Sequence, residues 1–334
     1  MASSPLPSNN ESSSDGEVHA VEASLLNSEL ALESFHKEGR IPSPGSLEAR
    51  HAGDDVLPHP RDGEVVVFAP YFPRGFDLPA SGFFHGLLAF YGIQLVHLTP
   101  NSLLHVAIFI HLCEAFIGID PHLDLFRTLF WLKPQPKRSA TNLFGGANIQ
   151  LREKDNYLPL NLKQSVKGWA KEWFYVANRA PSFPEFSAVT PVPSTNWRVE
   201  PTETDQVKEL KNWLVALKAQ GLTAAYIAGD FIRRRINPLQ RREKPAYLSE
   251  MPEAGFLPDD EVDERVRALF HNPGDWSRDC ALEGHSASNP RPEVNLVCKS
   301  IFCTHFMLNV ASNILVMAEY EFLPQSSSGS CYPA

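Results

Sequence analysis

Groups that carry chemistry are sparse in this sequence, and each shortage removes a class of function. The five cysteines, Cys113, Cys280, Cys298, Cys303 and Cys331, are odd in number and contain no C-x-x-C pair. That argues against a dense disulfide framework, and with no secretory leader ahead of them it points to the reducing interior of the cell. Cys280, His285, Cys298, Cys303 and His305 offer potential zinc ligands, but their separations lack the short paired spacing that a zinc knuckle uses. The Asp-Thr/Ser-Gly turn of an aspartic protease is absent, and so is the Gly-x-x-x-x-Gly-Lys-Ser/Thr loop that cradles phosphates. Asp259 and Asp260 place two carboxylates side by side. At a helix start such acids serve the positive end of the dipole more often than they bind a catalytic metal. His105 and His111 stand six apart on an apolar stretch and cannot share a helical face, so both read as core histidines, and Cys113 reads as a small buried hydrophobe. No catalytic residue, metal ligand or cofactor is assigned.

Positive charge is also in short supply. The chain has 30 Lys or Arg against 39 Asp or Glu, a net of −9, which excludes a surface that grips nucleic acid all round. The deficit is concentrated between Met1 and Glu64, where twelve acids face four bases, a balance of −8. The exception is Arg233–Lys244, RRRINPLQRREK, in which Arg233, Arg234, Arg235, Arg241, Arg242 and Lys244 are basic. Such a patch can neutralise phosphates or act as a nuclear import signal, and it is the one candidate nucleic-acid contact. The alternative is a solvated helix end whose arginines answer the dipole, because no aromatic platform or helix-turn-helix surrounds it.

What the chain has in quantity is packing residues and punctuation: 43% apolar content and 28 prolines. The pattern predicts a mainly α fold with a minor β component, a compact helical domain followed by a second helical unit, flanked by a disordered N-terminal arm. Residues 1–60 are Ser-, Pro-, Glu- and Gly-rich and form the arm, within which Val18–Glu38 can make a short amphipathic helix. The domain over 61–178 opens with a strand over Glu64–Phe72. A helix then runs from the Ser81 cap to Tyr91 and ends at Gly92, and a central helix begins at Thr99-Pro100 and ends near Phe116. A third helix opens at Asp120-Pro121 and carries Phe130 and Trp131 inward before Pro134. Asn148–Arg152 reads as a strand, and Val166–Asn178 fits neither period cleanly. Residues 179–201 are a proline-rich linker, 202–250 a helical unit ending in the basic patch, and 251–334 an atypical tail. Within the tail, Glu293–Leu323 is apolar but interrupted by Lys299, His305, Asn309 and Asn313, so a buried helix is favoured over a membrane span and no membrane partner is assigned.

One stretch carries lineage. LPASGF at 78–83, LTPN at 98–101 and LCEAFIGI at 112–119 stand in this order, with Arg74-Gly75-Phe76 before them and Trp173-Phe174-Tyr175-Val176 after. Over about Gly63 to Tyr175 the chain resembles the plant gypsy-type transposase domain family, and a looser likeness continues through TAAYIAGDFIRRRINPLQRREK. The resemblance implies origin in a transposable element and supplies no catalytic residue. It fades after about Trp276, which leaves the tail as a segment foreign to the family. The reading that follows is a non-enzymatic, intracellular protein, in the nucleus ahead of the cytoplasm, that self-associates or binds a partner. The rival is a nucleic-acid-binding or integration-related protein using the basic patch.

Overall fold

Hydrophobic side chains from widely separated parts of the sequence converge on one central helix. The computed structural model describes residues 23–135, 143–152, 157–158, 160–164, 167–233 and 259–271. Among them the helices are α1 (Glu29–Lys37), α2 (Gly82–Tyr91), α3 (Pro100–His111), α4 (Leu123–Leu129), α5 (Asp205–Ala219), α6 (Ala224–Phe231) and α7 (Asp259–Leu269). The strands are β1 (Ala49–Arg50), β2 (Glu64–Phe68), β3 (Phe130–Pro134), β4 (Ala147–Leu151) and β5 (Trp173–Ala177). The described chain is thus mainly helical with small sheets.

The local chemistry at the helix ends follows the sequence closely. Ser81, Thr99, Thr204 and Thr223 each accept a backbone N–H at the start of α2, α3, α5 and α6, removing one unpaired donor apiece. Pro100 occupies the first turn of α3, where its missing N–H costs nothing. Gly92 and Gly118 take the left-handed conformation that ends α2 and the turn beyond α3. The central helix widens into a π-helical turn over Leu112–Ile117 before it stops. Pro100–Ile117 has the length and apolarity of a membrane span, but here it is the packed centre of the core.

The strands differ from the expectation in two places. The first strand ends at Phe68, not Phe72, and a 3-10 helix follows over Ala69–Arg74. Pro70 and Pro73 have no N–H to give a ladder, and a proline at a helix start is tolerated. The third helix ends at Leu129, not Trp131. Phe130 and Leu132 turn inward on β3, while Trp131 between them is only partly buried. Antiparallel pairing of β3 with β4, Leu132 opposite Ile149, outweighs the helical spacing of these residues. In the other sheet β5 lies between β1 and β2, antiparallel to both, with Val66 opposite Tyr175.

The expected disordered arm also packs from residue 23 onward. Leu26, Leu32, Ile41 and Leu47 are buried in the same core as α3. Leu25 N–H donates to the Lys171 carbonyl at 2.7 Å, and Arg40 pairs with Glu172 at 2.5 Å. Arg50 and Glu64 make a two-pronged pair at 2.8 and 2.6 Å. Cations of the arm thus answer carboxylates of the body, while the arm's apolar residues repay ordering by burial. Residues 1–22 lie outside the described residues. At the other end, α6 and α7 join the same core through Ile227, Phe231, Val262 and Val266.

Candidate interaction site

The basic patch begins where α6 ends. Of its members only Arg233 lies among the described residues, in a π-helical turn with Ile232; Arg234, Arg235, Arg241, Arg242 and Lys244 lie outside them. The helix that carries Arg233 is firmly seated. His111 Nε2 and Asp230 Oδ2 lie 2.9 Å apart, joining α3 to α6 in a nearly water-free position. The rings of His111 and Phe231 meet edge to face at 5.6 Å. Gly75 allows this contact: its φ is +87°, and a Cβ there would come within 2.7 Å of Ala107 and 2.9 Å of Phe231.

Burial pushes the Cys113 thiol up to about 12, with Glu114 beside it adding to the shift, so it is protonated and unsuited to attack. Burial lowers His105 to about 4, and its Nδ1 is enclosed without a hydrogen-bond partner. Asp259 and Asp260 open α7. Cys280, His285, Cys298, Cys303 and His305 lie outside the described residues. Among the described residues no three His, Cys, Asp or Glu side chains gather in a way that could hold a metal ion.

Among the described residues a recess lies elsewhere, between α2 and the proline-rich segment. It has a volume of about 600 Å³ and is walled by His85, Leu88 and Ile93 on one side and Pro184, Val189 and Val192 on the other. The segment over 179–200, a strap across the body, buries only Phe183 and Trp197. Phe183 stacks on His85 with ring centres 4.5 Å apart, and Trp197 donates its indole N–H to the Tyr91 carbonyl at 2.9 Å. Between these anchors the body holds the strap by its main chain. The Gln94 amide donates to the Glu185 carbonyl at 2.7 Å and accepts from Ser187 N–H at 3.2 Å. His97 Nε2 lies 3.0 Å from the Val189 carbonyl, while its Nδ1 accepts from Gln94 N–H at 3.0 Å. Those two bonds fix the neutral imidazole with its proton on Nε2, and burial lowers its pKa to about 4 although the Val189 carbonyl pulls the other way.

A second surface lies on α5. Its inner stripe, Val207, Leu210 and Leu214, is buried. Its outer surface changes character along the helix, from Asp205, Gln206, Lys208 and Glu209 in the first turns to exposed Trp213, Val215, Ala216 and Ala219 in the last. Trp213 is 57% exposed.

Comparison with known proteins singles out part of this architecture. Residues 65–134 match the family model described as putative gypsy type transposon. The match runs from β2 through β3, so it contains Gln94, His97 and His111 but neither the strap nor α5, α6 and the basic patch. It supports a protein derived from a transposable element. No curated protein and no solved structure matches the chain. The sequence marks of the gypsy-type segment are largely its caps and core: Ser81, Thr99 and Gly118 at helix ends, Leu112 and Cys113 inside.

Sequence reasoning missed the clamp on the strap. The prolines announce an extended segment, but nothing local to it says that Gln94 and His97, some 90 positions earlier, will hold its carbonyls. The one available signal was a buried-type run, Ile93–Leu98, interrupted by two polar side chains.

Proposed function

We propose that this transposon-derived protein is a non-enzymatic assembly module that associates with copies of itself through exposed apolar surface. The observation that carries the reading is the outer surface of α5, where Trp213 stands more than half exposed beside Val215, Ala216 and Ala219. A tryptophan contributes nothing to solubility there, and its large rigid face is the kind of side chain that anchors interfaces. The inner stripe of α5 already supplies the packing that holds the helix to the body. Replacing Trp213 with Lys is expected to weaken self-association at least about tenfold while leaving the melting transition in place. Sedimentation velocity over a concentration series checks this, and unchanged association would move the interface elsewhere.

A second reading rests on the basic run that starts at Arg233. Six of twelve residues there are cationic, and the run leaves from a helix end held rigidly by His111 and Asp230. Contact with RNA or DNA through this patch would weaken steeply with salt. Changing Arg233, Arg234, Arg235, Arg241 and Arg242 to Ala should abolish binding and its salt slope in a filter-binding assay. Equal binding by both proteins would remove the patch from consideration.

A further inference from the structure

The strap has two edges, and the body uses one. Its inward contacts come from the Glu185 carbonyl, the Ser187 N–H and the Val189 carbonyl. This alternation is the two-residue period of an extended strand, in which the N–H and C=O of one residue point to the same side. The groups of Phe186, Ala188 and Thr190 therefore face away from Gln94 and His97. None of their backbone N–H or C=O groups has a hydrogen-bond partner among the described residues. The result is a short unpaired strand edge, and Ala188 at its middle is exposed.

Edges of this kind are commonly blunted with lysine, inward charges or proline along their length. Here the run between Pro184 and Pro191 carries no lysine and a single charge, Glu185, and its prolines lie only at the ends. Val189 at 60% exposure and Val192 at 75% add apolar surface beside it.

We propose that this edge pairs with the same edge of a second copy, antiparallel about a two-fold axis at Ala188. The inference rests on the self-assembly reading and adds to the α5 surface a second contact of its own. Self-pairing fits the sequence for three reasons. Centred on Ala188, Phe186 falls opposite Thr190 of the other copy, and the outward groups of 186, 188 and 190 exchange about six hydrogen bonds. Glu185 falls opposite Pro191, so no like charges meet across the ladder. Pro191 is at an inward-facing position, where its missing N–H removes nothing from the new ladder, while Pro184 is outward and ends it. An isologous contact of this sort closes on itself as a dimer.

Amide hydrogen exchange of the full chain, at dilute and at high concentration, reads the proposal directly, alongside sedimentation velocity on the same samples. Peptides covering 185–190 should exchange at least about tenfold more slowly once the chain associates, since an edge with no partner exchanges nearly freely. Ala188→Pro deletes the central N–H pair, which nothing in the single copy uses. It should keep the melting transition and lose both the protection and much of the association. Association without added protection at 185–190, unaffected by Ala188→Pro, overturns strap pairing and leaves the assembly reading standing. A wild-type chain that stays monomeric with no added protection overturns both. The exchange measurement on the wild type decides the matter even if the proline variant fails to fold.

Discussion

His97 couples the strap to pH through a single imidazole. It is 4% exposed, it accepts at Nδ1 and donates at Nε2, and its folded pKa lies near 4 against about 6.5 in the unfolded chain. A base whose pKa falls on folding favours the folded state above its unfolded value. The benefit is complete above about pH 6.5 and is lost as the pH drops towards 4, where the unfolded chain has taken a proton that the folded chain refuses. For this one group the loss is on the order of 3 kcal/mol as an upper figure. His97→Gln can keep both hydrogen bonds without titrating. It should flatten the decline in denaturant midpoint between pH 6.5 and 4, and an unchanged decline would place the acid sensitivity elsewhere. Gly75 makes a different demand, for space and for a left-handed backbone at once. Gly75→Ala meets Ala107 and Phe231 at sub-contact distance and adopts φ +87°, so a loss of at least about 2 kcal/mol is expected from chemical denaturation.

At the level of elements, local signals and long-range contacts divide the fold between them. Helix ends were legible because capping is local: Ser81 and Thr99 accept N–H groups three residues on, and Gly92 adopts the left-handed stop. The strands were less so. Phe130 and Trp131 have helical spacing with Leu125 and Phe126, yet their conformation is set by β4, about 20 residues away in the chain. The packing of 23–52 was hidden for the same reason, because the partners of Leu25 and Arg40 are Lys171 and Glu172 on the far side of the sequence. The candidate sites follow this division. The basic patch could be read as a charge run but its setting could not, since the His111–Asp230 link that seats α6 joins residues 119 apart. The strap was legible as an extended proline-rich segment, whereas its clamp and its free edge depend on Gln94 and His97. On α5 the exposure of Trp213 needed the neighbouring elements to be in place.

For the whole molecule, one core gathers the arm from Leu26, the gypsy-type segment, the sheet strand β5 and the helices α5 to α7. The matched segment supplies β2, α2, α3, α4 and most of the central packing, while the surfaces with interaction character, α5, the strap and the root of the basic patch, lie in the sequence after it. A stable body carrying apolar and cationic surface on its later elements suits a protein whose role is to be held by others of its kind. Whether it is so held is a matter of mass, which sedimentation equilibrium of the full chain measures from dilute to concentrated at near-physiological salt. A mass that rises with concentration from one copy to two or more, and that falls back in Trp213→Lys, is the predicted result. A single-copy mass across the whole range would rule out self-assembly.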